Sequence, residues 1–354
     1  METKIRLITG TAAHMAGIET RSVDLIVTSP PYPMIEMWDA VFAEQDERIR
    51  ECLEAGRAHE AFGLMHSVLD AVWAECDRVL KPGGLVCINI GDATRTIGGG
   101  FELYCNHSRI LQALLNLGYA ALPDILWRKP TNAPNKFLGS GMLPGGAYVK
   151  YEHEYILVFR KGPRRQFLNA REKRLRRESA FFWEERNVWF SDVWQDIKGT
   201  GQGLPDAGAR ERSAAFPFEI PHRLICMFSV KEDLVLDPFF GTGTTLVAAM
   251  AAGRNAVGIE IDPSLVRVAR GSLLGARDFV YAYSRERLSR HSEFVATRSA
   301  EERPMKYTSL HYGFPVMTSQ ETHILIDHVT EVTQEGEDII AAYSSDYPLD
   351  AGLK

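Results

Sequence analysis

Short apolar segments alternate with longer stretches in which apolar residues recur every three or four positions. Arg6-Leu7-Ile8, Val23-Asp24-Leu25-Ile26-Val27 and Leu85-Val86-Cys87-Ile88-Asn89-Ile90 have the length and density of buried strands. Between the last two, Phe62, Met65, Leu69, Val72, Trp73, Cys76 and Val79 predict a helix. It stops at Lys81-Pro82-Gly83-Gly84, where proline and glycine cannot continue it. A second helix, from about Ser108 to Asn116, ends at Gly118 and feeds the strand Ile125-Leu126-Trp127; a further strand follows at Tyr155-Ile156-Leu157-Val158-Phe159.

After a long polar stretch the alternation resumes. Leu234-Val235-Leu236 predicts a strand, Thr244 to Ala252 a helix, and Ala256-Val257-Gly258-Ile259 a strand. Strand, helix, strand in repetition means parallel pairing with helices on both faces. The fold class expected is α/β, a doubly wound, mostly parallel sheet of seven strands. Residues 131–200 are rich in proline, glycine, asparagine and basic residues, interleaved with Trp183, Trp189 and Trp194. Such a length is unusual for a structureless loop in a compact domain, so an inserted subdomain is expected. The expected organisation is two halves of one domain, 1–130 and 201–284, separated by the insertion, with an extension over 285–354. Periodicity is weak in that extension apart from Ile324-Leu325-Ile326, and no internal repeat is evident.

Composition narrows the class. With 354 residues, 45% hydrophobic and 24% charged, the chain can bury one large core or two modest ones. The start, Met1-Glu2-Thr3-Lys4-Ile5-Arg6, lacks a secretory apolar run, and no stretch is long enough to span a bilayer, so a cytoplasmic protein without membrane attachment is expected. Cys52, Cys76, Cys87, Cys105 and Cys226 contain no Cys-x-x-Cys pair, which argues for buried reduced thiols and against a disulfide framework or zinc site. The net charge of −6 argues weakly against nucleic acid as an average, but its distribution does not. Nine Lys or Arg and one acid, Glu172, lie between Arg160 and Arg177, whereas Glu321 to Asp350 holds eight acids and no Lys or Arg. A basic patch inside an acidic protein can be a footprint for phosphates, or simply a solvated helix face.

Two loops carry candidate chemistry. Val235-Leu236-Asp237-Pro238-Phe239-Phe240-Gly241-Thr242-Gly243-Thr244-Thr245 leaves a strand and opens a helix, where glycines permit close backbone approach to a ligand. Glu260 ends the next strand, suited to accept ribose hydroxyls. A Gly-x-Gly with a downstream acid fits nicotinamide cofactors as well as S-adenosylmethionine. Leu246 at the position of a third small residue, Asp237 at the strand end and the lack of provision for a pyrophosphate favour the latter. The other loop, Val27-Thr28-Ser29-Pro30-Pro31-Tyr32, is stiffened by two prolines that fix φ and leave carbonyls free. Taken alone it is a proline-rich turn with a tyrosine.

Together these motifs resemble the DNA amino-methyltransferases, specifically the permuted β class, in which the catalytic motif precedes the cofactor motif. Thr28-Ser29-Pro30-Pro31-Tyr32 is similar to the version typical of cytosine-N4 enzymes, adenine-N6 enzymes more often having Asp-Pro-Pro-Tyr. Asp237 to Thr245 and Gly258-Ile259-Glu260-Ile261-Asp262 match the cofactor motifs, and Arg78-Val79-Leu80-Lys81-Pro82-Gly83-Gly84 and Tyr151-Glu152-His153-Glu154-Tyr155-Ile156-Leu157 are similar to other family segments. Phe216-Pro217-Phe218-Glu219-Ile220-Pro221 resembles the motif that closes over the methionine end of the cofactor. The resemblance covers roughly residues 5 to 272 and departs at one point: where the family has Gly-Asp after the first strand, this chain has Gly10-Thr11. Threonine can make one bond there, and weaker cofactor binding is expected.

The resemblance implies a Rossmann-like methyltransferase fold and transfer of a methyl group from S-adenosylmethionine to the N4 amine of a flipped-out cytosine in double-stranded DNA. Ser29, Pro30, Pro31 and Tyr32 would form the catalytic loop: Tyr32 stacking on the base, the Ser29 hydroxyl and Pro30 carbonyl accepting from the amine. The cofactor would be held by Asp237, Phe239, Gly241, Thr242, Gly243, Thr244, Glu260, Asp262, Thr11 and Pro217. Arg128, Lys129, Lys136, Arg164, Arg165, Arg174, Arg176 and Arg177 are candidate DNA contacts within or beside the insertion, where the family keeps target recognition. No metal is required, and Asp24, His153 and Glu154 are expected to be strand-end or core-satisfied residues. No Pro-Cys pair occurs, which excludes covalent C5 chemistry. The expected assembly is a monomer or homodimer, with a companion restriction endonuclease as a candidate partner. Competing readings are adenine N6 as the target, an idle DNA-binding module, and an RNA or protein methyltransferase.

Overall fold

The computed structural model describes residues 1–129, 138–198, 216–301 and 305–346. Its centre is a sheet built from β1 (Glu2–Thr9), β2 (Val23–Thr28), β3 (Leu80–Ile90), β4 (Ala120–Arg128), β5 (His153–Arg160), β6 (Val193–Trp194), β7 (Leu234–Asp237), β8 (Asn255–Glu260), β9 (His328–Glu335) and β10 (Asp338–Ser344). The strands lie in the order β6-β4-β5-β3-β2-β7-β8-β1-β10-β9. The inner run β3-β2-β7-β8-β1 is parallel. Flanking it, β5 is antiparallel to β3, β4 is antiparallel to β5, and β6 is parallel to β4. On the far edge β10 is antiparallel to β1 and β9 antiparallel to β10.

The α/β class and the largely parallel centre are as expected, and all seven expected strands are present. Among the described residues the sheet nevertheless has ten strands. β6 is a two-residue strand, too short for any periodicity. β9, His-Val-Thr-Glu-Val-Thr-Gln-Glu, is mostly exposed, so its composition reads as a polar loop. β10 does alternate buried and half-buried positions, and it covers the edge of β1.

Side-chain alternation splits the core into two layers. Ile26, Val86, Ile88 and Leu236 face α1 (Ala58–Val79), which buries Met65, Leu69, Val72, Trp73 and Cys76 on one stripe. Leu25, Val27, Cys87 and Val235 face the other way. There they meet Ile220 and Leu224 of a helix at Glu219–Phe228, Leu246 and Ala249 of another at Thr244–Ala251, and Val266 and Ala269 of a third at Pro263–Leu274. Each fully buried Leu, Ile or Val contributes roughly 1.5–3 kcal/mol. The close fit after α1 depends on glycine: a Cβ at Gly84 would lie 2.7 Å from Leu80 Cδ1 and 2.9 Å from the Asp24 carbonyl oxygen. The expected helix stop at Pro82-Gly83-Gly84 therefore falls inside β3, whose pairing with β2 is irregular there.

The described part of 131–200 contributes β5 and β6 to the sheet, and helices at Ala170–Glu178 and Trp183–Trp189. Trp189 and Trp194 are core residues. A 24-residue helix at Arg277–Ala300, not foreseen from periodicity, packs Leu288 against Phe182, Val316, Ile324 and Ile326 in a third cluster. The apolar run Ile324-Leu325-Ile326 is thus a plug between the tail and the 180s, tied by Leu325 N–H donating to the Glu178 carbonyl at 3.1 Å. Among the described residues no helix is long and apolar enough to cross a membrane.

Candidate active site

The connection from β2 leads to β3 on one side, and that from β7 leads to β8 on the other. Neighbouring parallel strands whose connections diverge leave a crevice at their carboxyl ends, the usual ligand position in such sheets. Ser29-Pro30-Pro31-Tyr32 leaves β2 there and Asp237 closes β7. In-register pairing brings Glu260 of β8 opposite Thr9 of β1, so Gly10 and Thr11 arrive at the same rim. The resulting cleft encloses about 1230 Å³ of open space including its mouth, and is lined by Thr11, Ser29, Pro30, Pro31, Tyr32, Asp237, Phe239, Gly241, Thr242, Thr244, Glu260 and Asp262. Both halves of the expected site share one cavity.

On the cofactor side, Asp237 is 2% exposed. Thr28 Oγ1 donates to its Oδ1 at 2.6 Å, and Phe239 N–H donates to the same oxygen at 3.0 Å. Burial pushes the Asp237 carboxyl up to about 6, against the pull of these donors. Glu260 receives Gly241 N–H at 3.0 Å and Asp262 N–H at 2.9 Å; burial raises its pKa while these backbone bonds lower it. Gly241 has φ +53° with open space where a Cβ would stand, as close ligand approach requires. A buried acid, a second carboxylate anchored by backbone and an unobstructed glycine turn fit an adenosyl ligand with a cationic sulfur. Asp262 also caps the helix at Pro263–Leu274 by accepting from Ser264 N–H at 2.7 Å.

Two expected cofactor residues fall elsewhere. Gly243, at φ +89°, does not line the cleft; a Cβ there would sit 3.0 Å from Ala269 Cβ, so this glycine serves helix packing. Pro217 is buried and its carbonyl accepts from Ile220 N–H at 3.0 Å, while its neighbour Phe216 lines the cleft in its place.

On the catalytic side, Ser29 Oγ and Tyr32 OH are 3.1 Å apart. Tyr32 OH donates to Glu154 Oε2 at 3.0 Å, and Asn89 Nδ2 reaches Tyr32 OH at 2.8 Å and Glu154 Oε2 at 2.6 Å. Lys129 Nζ ion-pairs with the other oxygen, Glu154 Oε1. Burial, then the charge of Glu154, lifts the Tyr32 phenol well above its ordinary pKa. Glu154 is thus satisfied, as expected of a core residue, but one of its partners, Tyr32, belongs to the candidate catalytic loop. Sequence reasoning missed Asn89 and that linkage, because Asn89, Lys129 and Glu154 stand on or beside three different strands. It also missed Met37, Trp38, Val41 and Phe42, which wall the cleft. Cys76 and Cys87 are buried with thiols pushed up by desolvation, so neither offers a thiolate.

The basic candidates divide by the end of the sheet they occupy. Arg128 pairs in register with His153, and Tyr155 of that strand with Ile90 at the carboxyl end of β3, which places Arg128 and Lys129 on the cleft side. Arg128 is exposed beside Glu152 at 3.5 Å. Arg160 pairs with Leu85 at the opposite end, and the basic run begins there. Arg165 is committed to Asp233 at 2.6 and 2.9 Å, ahead of β7, and lies 3.6 Å from Asp24 near the start of β2. Arg164, Arg174, Arg176 and Arg177 belong to the same stretch; Arg174 lies 3.6 Å from Glu178, and Arg176 stacks over Phe167. Arg171 of their helix pairs with Glu232, again ahead of β7. The run therefore flanks the amino ends of the parallel strands, away from the cleft. Lys136 lies outside the described residues.

A family model described as DNA methylase, of the N6/N4 type, matches residues 23–271. The chain is 48% identical over 325 residues to the Type II methyltransferase M.MthZI of Methanothermobacter thermautotrophicus, covering 92% of this chain and 90% of the relative. It is 50% identical over 278 residues to the Type II methyltransferase M.MjaI of Methanocaldococcus jannaschii, covering 74% and 89%. The crystal structure of a DNA modification methylase from Thermus thermophilus, TTHA0409, complexed with S-adenosyl-L-methionine, superposes with a TM-score of 0.58 at 32% identity, covering 75% of this chain and 93% of the other. The cytosine-N4-specific PvuII DNA methyltransferase shares the fold, with a TM-score of 0.51 at 18% identity over 76% and 86% of the two chains.

Proposed function

Because this chain belongs to the N6/N4 DNA methylase family and is an S-adenosylmethionine-dependent DNA methyltransferase, we propose that its target is the N4 amine of cytosine. The observation that carries this reading is Ser29 at the head of the catalytic loop, a neutral hydroxyl where adenine-directed enzymes more often place a carboxylate. It lines the same cleft as Asp237 and Glu260.

S-adenosylmethionine supplies an electrophilic methyl group, and Asp237, Phe239, Gly241, Thr242, Thr244, Glu260, Asp262 and Thr11 are the residues that would hold it. The amine is unreachable in a duplex, so the base is rotated out of the stack at a cost of a few kcal/mol. Tyr32 offers its ring face to the base. Ser29 Oγ and the Pro30 carbonyl accept from the amine and turn its lone pair out of conjugation with the ring. Such positioning supplies up to roughly 7–11 kcal/mol of a barrier. Arg128, exposed at the cleft end of β4, is the proposed phosphate contact, while Lys129 beside it is paired with Glu154. The Type II names of the relatives support a role beside a restriction endonuclease of the same site.

Mass spectrometry of nucleosides from DNA of an expressing host tests the target. N4-methylcytosine is expected; N6-methyladenine without N4-methylcytosine would overturn the assignment. Single-molecule sequencing of the same DNA identifies the recognition site.

A further inference from the structure

We propose that Glu154 is a positioning residue that fixes the direction of the hydroxyl bonds in the catalytic loop, so that Ser29 presents a free lone pair to the target amine. The proposal rests on the reading that Ser29 accepts from that amine. A carboxylate can only accept. A serine hydroxyl both donates and accepts, and it holds an amine reliably only if its own proton is directed elsewhere.

Counting protons around Tyr32 shows where that proton goes. Glu154 has Lys129 Nζ on Oε1 and acts as acceptor on both oxygens. Tyr32 has one proton, and its hydroxyl lies 3.0 Å from Glu154 Oε2, the charge-assisted acceptor. Asn89 Nδ2 has two protons and directs them to Tyr32 OH at 2.8 Å and Glu154 Oε2 at 2.6 Å. Once Tyr32 has donated to Glu154, its oxygen can only accept from Ser29 Oγ, 3.1 Å away. The Ser29 O–H then points at Tyr32 and its lone pairs are left to the cleft. The phenol, raised well above its ordinary pKa by burial, retains the proton this arrangement needs.

The cluster is held firmly. Glu154 is 7% exposed, and a Cβ at Gly91 would lie 3.0 Å from Tyr32 Cε2 and 3.3 Å from Glu154 Cγ, so the backbone of residue 91 closes over both side chains.

Glu154→Gln tests the idea with an isosteric change. Lys129 retains the amide oxygen, and the amide N–H group replaces the acceptor that Tyr32 and Asn89 share. Residue 154 then no longer takes the Tyr32 proton, and that proton is released to turn onto Ser29 Oγ, where it occupies a lone pair. Single-turnover methylation of a duplex carrying the sequenced site is expected to slow roughly 10- to 100-fold, with S-adenosylmethionine affinity unchanged. In a Ser29→Ala background no hydroxyl remains to orient, and adding Glu154→Gln is expected to slow the reaction by less than about threefold further. Tyr32→Phe breaks the relay by removing the hydroxyl between Glu154 and Ser29, and it is expected to make Glu154→Gln silent in the same way. Equal losses from Glu154→Gln with and without Ser29 would overturn the assignment. So would a wild-type rate for Glu154→Gln when Ser29→Ala is slow, and either result leaves the role of Ser29 standing. A wild-type rate for Ser29→Ala would overturn the role of Ser29 and this proposal together.

Discussion

Thr28 and Asp237, 209 positions apart, are joined by a 2.6 Å hydrogen bond between the ends of adjacent parallel strands. Thr28 immediately precedes the proposed catalytic loop and Asp237 begins the proposed cofactor loop, so this bond ties together the two halves of the proposed site. It also buries a carboxylate whose charge is opposed by desolvation and favoured by a cationic ligand.

That opposition gives a pH-dependent prediction. The folded pKa of Asp237, about 6, lies above its ordinary value of 3.8. Its contribution to stability is therefore fully present below about pH 3.8 and is lost as pH rises through about 6. Asp237→Asn, which cannot ionise, should stabilise the ligand-free protein by about 1–3 kcal/mol at pH 8 and by little at pH 4. Urea unfolding at the two pH values reads this difference. The same variant should lower S-adenosylmethionine affinity at least roughly tenfold at pH 8 by calorimetry, through loss of a buried charge pairing. A variant that is less stable at pH 8 yet binds normally would contradict both halves of the argument.

The roles proposed for the ring and the hydroxyl of Tyr32 are separable. Tyr32→Ala removes the face on which the base would stack, worth about 1–3 kcal/mol per base. It should therefore reduce extrusion of a fluorescent base analogue at the target position. Tyr32→Phe keeps the face and should leave extrusion intact while slowing methyl transfer. If both variants lose extrusion equally, the hydroxyl has a structural part in shaping the pocket and the division fails.

Which parts of this are legible in the sequence follows from how local each feature is. Asp237 to Thr245 and Ser29 to Tyr32 are continuous strings whose backbone chemistry announces a loop with a purpose, and the cleft draws on both. Glu154 lies within a segment that the family resemblance picks out, but the role proposed for it depends on Asn89 and Lys129 across two strand pairings, and no spacing reveals that. The basic run from Arg160 to Arg177 misleads for a related reason. Composition reports how many charges there are, and the topology decides at which end of the sheet they emerge.

The salt dependence of DNA binding distinguishes the two ends. Arg128→Gln should lower the slope of log K against log salt by about 0.9, the share of one phosphate contact. Arg176→Gln with Arg177→Gln should leave the slope unchanged, because these arginines flank the amino ends of the strands. Equal reductions from the two sets would mean that the duplex also wraps the far end.

The tail supplies a prediction about stability. β10 covers the edge of β1, and Tyr343 lies beneath this contact, 2.8 Å from Thr3 Oγ1 and donating to the Met250 carbonyl at 2.7 Å. Tyr343→Phe leaves those two groups without this partner, and a loss of about 1–3 kcal/mol is expected in urea unfolding. Removing residues 302–354 is a larger change, because it strips β9 and β10 from the sheet and opens the backbone of β1 to pairing with other molecules. It also deletes Val316, Ile324 and Ile326, leaving Phe182 and Leu288 without their cover. The truncated chain should melt well below the full-length protein and aggregate on concentration, as thermal melting and size-exclusion chromatography would report. If it stays monomeric with an unchanged melting temperature, the tail lies against the domain without supporting it, and the energetic role assigned to β10 is wrong.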